Sequence, residues 1–468
     1  MDITTAPKSS PDVLPELAAF LRPFLPLFRY AQSRQSLDRY LVGLLSDLPR
    51  KNAQTIAATV ADTSSERLQH LLTDATWEPL AVDEARVRWL AARSPASGVL
   101  VVDDTGLPKR GHTSVGVAPQ YTGTLGKVGN CQVVVSAEYV ADAPTTGQPL
   151  HWPVSSQLFL PQEWASDPVR RAQAHVPPTE ASLTKLERAL GLVDRARVWG
   201  VPFQVVVADA GYGDQPPFLD GLEARGLAYV CAVESTFGVR RPEEVRQARA
   251  LAARPPAPRR GRGQPPKPRP APLHAAEAVL LTVPEAAWQP LTWREGGRGA
   301  LTKQFVALRV HRATGGAHLP SSERRVTTGL EGWLVGERPL PGHRGELKYY
   351  FSSLPAATPL ARLVALAHAR WAIEQFYEDS KGACGLDEYQ GRRWDGLHRH
   401  LALVLLAYSF LMVQALPPES SGDFPPGASA QPSRRPSPSA ALALRKSGAV
   451  VDRYQPDRRL PSPEKLTK

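Results

Sequence analysis

Two short runs of valine, each stopped by aspartate, constrain this chain's fold more than any other feature. The first, SGVLVVDDTG, ends in Asp103 and Asp104; the second, VPFQVVVADAGYGD, reaches Asp209. Short apolar runs of β-branched residues read as strands. CQVVVSAEYV and PLHWPVSSQLFLP read as two more strands after the first. A helix is expected at about residues 180–196, a short one in PFLDGLEARG, and a further strand in LAYVCAVES. Three strands, helix, strand, helix, strand predicts an α/β layered sheet. Open α/β sheets bind ligands beyond the carboxyl ends of their strands, which makes Asp103 and Asp209 candidate site residues. A strand-end aspartate is also a common turn former. Asp103 and Asp104 both read as lying at a strand end, where side-chain alternation does not choose between them.

The third candidate lies in RWAIEQFYEDSK, residues 370–381, a helical stretch without Gly or Pro. Arg370, Glu374, Tyr377 and Lys381 fall within about 60° of one another on a helical wheel. Trp371, Ile373 and Phe376 supply the apolar face. A carboxylate on such a stripe suits a hard divalent cation, and its cations suit phosphate oxygens. The same spacing equally describes a solvated helix with an Arg370–Glu374 ion pair. Two strand-end aspartates joined by a helical glutamate make a ligand set for one or two Mg²⁺ ions, completed by water and phosphate.

Elsewhere the chain divides by composition. Residues 1–12 read as disordered. From Val13 to about Ala92 the apolar spacing is helical, with N-caps expected at Ser36 and at Ser64 or Ser65, and a break at Pro49. Arg50, Lys51, Arg67 and His70 in this region suit a small DNA-binding bundle; a packing or dimerisation role fits the same pattern. Regularity breaks at Phe237, and residues 254–272 form a basic, Pro-rich stretch that cannot build a core. AVLLTV, FVALRVH, EGWLVGERP and ELKYYFSSL then read as strands of a β-rich insertion, before helices resume at Pro359. After Pro417 the composition is that of a disordered tail. The net charge of +11 favours a polyanionic partner. The three cysteines lie far apart, so neither a zinc knuckle nor a disulfide framework is indicated. No apolar run reaches the ~18 residues a membrane span needs, and the polar start MDITTAPKSS lacks a signal-peptide pattern, so a cytoplasmic, nucleoid-associated location is expected.

Three blocks occur in order: VVDDTGLPKRGHTSVGVAPQYTGTLGKVGNCQVVVS, VVVADAGYGD, and RWAIEQFYEDSKGACGLDEYQGRRWDGLHRHLALVLLAYSFL. Together they resemble DDE transposases of bacterial insertion sequences, in the insertion sequence 4 superfamily and most like its insertion sequence 701 group. That branch carries a Tyr-x2-Arg-x3-Glu-x6-Lys signature. Arg370, Glu374 and Lys381 match it, while Ala367 stands at the tyrosine position and Tyr377 lies on the same helical face. The resemblance covers about residues 50–416. It implies a ribonuclease-H-like catalytic domain (96–236 and 355–416) interrupted by the β-rich insertion (237–354), behind an N-terminal helical DNA-binding region (1–95) and before the tail (417–468). It also implies Asp103 (Asp104 in reserve), Asp209 and Glu374 as catalytic and metal-binding residues for two Mg²⁺ ions, with Mn²⁺ able to substitute.

The implied reaction is cleavage at the terminal inverted repeats of a mobile element and joining of the 3′-hydroxyl to target DNA, by a homodimer assembled on DNA. Arg370 and Lys381 match DNA-contacting positions. Lys109, Arg110 and Lys127 lie in a Gly-rich segment that could approach phosphates or be an ordinary solvated hairpin. Trp293 is a candidate for stacking on an extruded base or for a place in the core. His398 and His400 read as packing residues or phosphate neighbours, because hard Mg²⁺ prefers oxygen ligands. Two other functions remain open. A catalytically silent DNA-binding relative would bind without cutting. A haloacid-dehalogenase-like phosphatase would use Asp103, although that chemistry wants a DxD pair and the chain has Asp103-Asp104-Thr105.

Overall fold

The computed structural model describes residues 15–123, 126–141, 150–254, 270–296, 299–314 and 327–415. The readings of residues 1–12 and of the tail lie outside the described residues, as does most of the basic Pro-rich stretch.

Among the described residues a mixed sheet of twelve strands forms the centre. Strand β1 (Gly98–Pro108) pairs antiparallel with β3 (Lys127–Ala141) on one side and parallel with β5 (Val205–Ala208) on the other. The sheet grows outward from β3 through β2 (Ala118–Thr122) and β4 (His151–Phe159), both antiparallel to it. Beyond β5 lies the parallel β6 (Ala228–Val233). The expected order of elements holds for this part. The Gly-rich segment after β1 forms a true hairpin, β2–β3, and the helix before β5 begins at Lys185 rather than near residue 180. Thr184 sets that start: its hydroxyl accepts from the Glu187 backbone while Glu187 reaches back to the Thr184 N–H, a closed capping box.

The β-rich stretch continues this sheet. Strand β12 (Lys348–Ser352) pairs antiparallel with β6, followed by β11 (Thr327–Arg338) and β10 (Gly299–Thr314). Strands β7 (Gly238–Arg240) and β9 (Gln289–Gly296) both pair with β10, and β8 (His274–Ala275) pairs with β7. One expected strand is absent: AVLLTV begins in a short helix, Ala276–Leu280, whose buried face is Ala276, Val279 and Leu280, and ends in the turn after it. Residues 276, 279 and 280 carry helical spacing, which a short apolar run conceals.

Among the described residues five α-helices precede the sheet: Pro15–Leu21, Ala31–Leu45, Ala53–Thr59, Ser65–Thr73 and Pro79–Ala91. Ser64 caps the fourth, accepting from Arg67 N, and Asn52 caps the third. Ser36 caps nothing; it is buried within the second helix, which starts earlier, at Ala31. These helices share one core with the closing helix Trp394–Ala415. Phe20 meets Phe410 at 5.6 Å, and the Tyr40 hydroxyl lies 2.8 Å from His400 Nδ1. Among the described residues only this closing helix is long and apolar enough to cross a bilayer, yet 83% of its apolar window is buried inside the protein.

Candidate active site

Strand β1 does not stop at the aspartates but runs on to Pro108, so alternation does separate them. Val99, Val101 and Leu107 belong to the core shared with Ile373 and Phe376. Leu100 and Val102 belong to the opposite core, with Leu192, Val193 and Leu219. Asp103 therefore faces the helix Trp371–Cys384, and Asp104 faces away from it. On β5, Val205 and Val207 share the Asp103 face, and the last parallel pair is Val102 with Ala208. Asp103, one step further along β1, and Asp209, the first residue beyond β5, therefore lie side by side. Asp209 caps the short turn Ala210–Gly213, accepting from the Tyr212 N–H at 3.3 Å.

The helical stripe lies along β1. Arg370 donates to Asp103 Oδ2 at 3.0 Å, the Tyr377 hydroxyl donates to the Asp103 carbonyl at 3.0 Å, and Lys381 Nζ donates to Thr105 Oγ1 at 2.7 Å. Arg370 also pairs with Glu374 at 2.5 Å, so the ion pair of the simpler reading exists within the larger arrangement. Glu374 has a 56% exposed side chain and stands at the solvent side of the cluster. A left-handed Gly385 (φ 68°) ends the helix, and a Cβ there would come within 2.8 Å of Lys51. Beside Arg370 and Glu374 opens a cleft of about 630 Å³, walled by Tyr350, His368, Trp371 and Lys348.

The electrostatics follow from this crowding. Burial first, then the Asp209 carboxylate, push Asp103 well above the usual carboxylate range, with Arg370 opposing the rise. Burial also raises Asp209. For Arg370 burial works against the charge, but Asp103, Glu374 and Asp209 outweigh it and raise its pKa. The raised pKa values record two acidic side chains held close together, with a guanidinium between them and Glu374. The donors are carboxylate oxygens, which fit a hard divalent ion. Among the described residues no three His, Cys, Asp or Glu side chains converge as a ready metal cluster. Asp103 and Asp209 are brought together, and Glu374 is linked to them through Arg370.

The remaining candidates separate. Lys109 turns inward, its Nζ donating to the carbonyls of Asp387 (3.2 Å) and Tyr389 (2.7 Å). Burial lowers its pKa to about 8. Lys51 likewise donates to the Leu44 and Ala383 carbonyls. Arg110 and Lys127 are exposed. Trp293 stacks on His368, with ring centroids 4.1 Å apart and planes 11° apart, two residues before Arg370. Next to it, Arg294 lies 4.0 Å over the Trp371 ring. His400 bridges Tyr40 and the Gly385 carbonyl, and His398 bonds the Trp394 carbonyl, so both are packing residues.

Sequence reasoning missed the buried Glu337. Lys303, Tyr350 and His368 surround its carboxylate and fasten the turn before Arg370 to β10–β12. It also missed Lys185 and Tyr212, which meet Asp104 on the far face of the sheet. The tyrosine three residues after Asp209, in AGYG, was the one available signal.

A family model described as DDE superfamily endonuclease matches residues 23–300, a span holding Asp103, Asp209 and Trp293. Over 215 residues the chain is 29% identical to the "Probable transposase for insertion sequence element IS701" of Microchaete diplosiphon. That match covers 46% of this chain and 52% of the relative, so the chain spans about half the length of the curated relative it matches.

Proposed function

The chain belongs to the DDE superfamily of endonucleases, and on that premise we propose that it is a DNA transposase acting at the ends of a mobile element. The observation that carries this reading is the register of β1 and β5. It sets Asp103 beside Asp209, with the Arg370–Glu374 pair turned onto them from the helix. The strand order β4-β3-β1-β5-β6, antiparallel and then parallel, supports a ribonuclease-H-like core at 96–236 and 355–416, with 237–354 as its insertion.

Asp103, Asp209 and Glu374 would hold two divalent ions, Mg²⁺ with Mn²⁺ as a substitute. When bound, these supply activation of a water or 3′-hydroxyl and stabilisation of the leaving oxygen. The chain's own part is placement. Arg370 and Lys381 hold the scissile strand, Arg370 through a planar fork suited to phosphate. Tyr377 fixes the β1 backbone at Asp103. In the first step water opens the phosphodiester and leaves a 3′-hydroxyl; in the second that hydroxyl displaces a 3′-oxygen of the target strand. The partners are duplex DNA with terminal inverted repeats and target DNA, engaged by a homodimer in the bacterial cytoplasm at the nucleoid. The N-terminal helices contact DNA through their outer surface, where Arg50 and His70 are exposed, since their inner faces are committed to the closing helix.

The test is nicking of a duplex carrying the element's own ends in Mg²⁺, comparing the wild type with Glu374→Gln. Cleavage by the wild type alone is expected. Equal cleavage by both would take Glu374 out of the chemistry. Binding without cleavage by either, in Mg²⁺ and in Mn²⁺, would leave a silent DNA-binding relative.

A further inference from the structure

Asp103 and Asp104 are adjacent in the chain but face opposite sides of the sheet. On its own side, Asp104 Oδ2 accepts from the Tyr212 hydroxyl at 3.2 Å and pairs with Lys185 Nζ at 3.1 Å. Tyr212 is 3% exposed, and a phenol buried that deeply needs a partner for its hydroxyl. The same residue gives its backbone N–H to Asp209 Oδ1. One tyrosine thus joins two acidic residues from neighbouring strands, Asp209 through its main chain and Asp104 through its ring. The turn that carries it rests on β6, where a Cβ at Gly213 would lie 2.0 Å from the Ala232 carbonyl oxygen.

Lys185 is the first residue of the helix Lys185–Val198. The positive end of a helix dipole disfavours a lysine there, and Asp104 is the counter-charge that compensates. The capping box at Thr184 and Glu187 fixes where this lysine starts. Asp104 is therefore braced from two elements, the helix Lys185–Val198 on its own side of the sheet and the turn that Asp209 caps.

We propose that Asp104, Tyr212 and Lys185 form a positioning set that aims the Asp209 carboxylate at its place beside Asp103, and that Asp104 is not itself an acidic ligand of the site. This rests on the endonuclease reading for the identity of the ligand, a divalent cation held by Asp103 and Asp209. Asp104 acts through the Tyr212 turn, as outer partners of metal-binding carboxylates do.

The experiment is Mn²⁺ binding to the full chain, read by electron paramagnetic resonance, with thermal melting and duplex nicking alongside. Tyr212→Phe, which removes only the hydroxyl, should weaken Mn²⁺ affinity about tenfold and leave the number of ions bound unchanged. Asp104→Asn should do the same, whereas Asp103→Asn should remove ion binding. A merely structural role would lower the melting temperature of Tyr212→Phe without moving its Mn²⁺ affinity, and that result overturns the proposal. Loss of all ion binding in Asp104→Asn, matching Asp103→Asn, also overturns it by making Asp104 a ligand. Mn²⁺ affinities in the expected order without nicking of any duplex would uphold the positioning set and remove the nuclease reading. Nicking by the wild type with unchanged Mn²⁺ affinity in Tyr212→Phe would do the reverse.

Discussion

Arg370 donates to Asp103 across 3.0 Å, from the turn that opens one helix to the middle of a strand 267 positions earlier. Its second terminal nitrogen pairs with Glu374. A lysine is a point charge and cannot span both carboxylates as the planar fork does. Arg370→Lys should therefore keep the charge and lose the shared geometry. Single-turnover nicking should fall by about 100-fold, the scale of a misplaced reacting group, with a melting temperature close to that of the wild type. Nicking at the wild-type rate would show that charge alone suffices at this position.

Lys109 and its neighbours should behave differently. Lys109 Nζ serves two carbonyls of the 387–389 segment, while Arg110 and Lys127 are exposed. Lys109→Met should cost about 1–3 kcal/mol of stability, because it strands buried acceptors. It should leave the salt dependence of DNA binding unchanged. Arg110→Ala and Lys127→Ala should each lower the slope of log affinity against log salt by about 1 if they contact phosphates. Urea denaturation and a salt series of binding isotherms distinguish the two kinds of cation. An altered slope in Lys109→Met would return it to the DNA surface.

The contrast shows what the chain's pattern could and could not reveal. The Val runs, the 3.6-residue stripe from Arg370 to Lys381 and the order of strands and helices are local signals, and each appears in the structure. The choice between Asp103 and Asp104 was hidden because it depends on where β1 ends. That is decided by pairing with β3 as far as Pro108, a long-range contact. The inward partners of Lys109 were hidden for a related reason: a lysine in a Gly-rich segment looks solvated until the carbonyls that receive it, some 280 residues away, are brought alongside. The placing of β12 against β6, which makes the insertion part of the main sheet, leaves no mark on either strand alone.

Trp293 offers a direct measure of that join. Its ring lies parallel to the His368 imidazole at 4.1 Å, and His368 also meets the buried Glu337 carboxylate at 3.1 Å. Stacked pairs of this kind contribute about 0.5–1.5 kcal/mol beyond their buried area. A double-mutant cycle with Trp293→Leu and His368→Gln, followed by urea denaturation, should give a coupling in that range. If Trp293 instead serves chiefly as a platform for an extruded base, the cycle should show no coupling. Trp293→Leu would then weaken binding of pre-nicked ends while leaving stability untouched.

Acid should unfold this protein through its histidines. Burial lowers His151 to about 3 and His398 and His400 to about 4, against about 6.5 in an unfolded chain. All three are neutral when folded, and the unfolded state takes up their protons first as pH falls. Their contribution to stability is therefore complete above about pH 6.5 and is lost as pH drops through 6.5 toward 4. The loss approaches about 1.4 kcal/mol per pH unit for each histidine. His400 is the cleanest site to test. Its Nε2 donates to the Gly385 carbonyl, so its Nδ1 accepts from the Tyr40 hydroxyl, and protonation would force that second bond to reverse and leave a charge buried. His400→Gln retains one donor and one acceptor but cannot titrate. Urea midpoints measured from pH 7.5 to 4.5 should decline less steeply in His400→Gln than in the wild type, by about one proton's worth of slope. Parallel declines would show that His400 titrates with the same pKa in the folded and unfolded states.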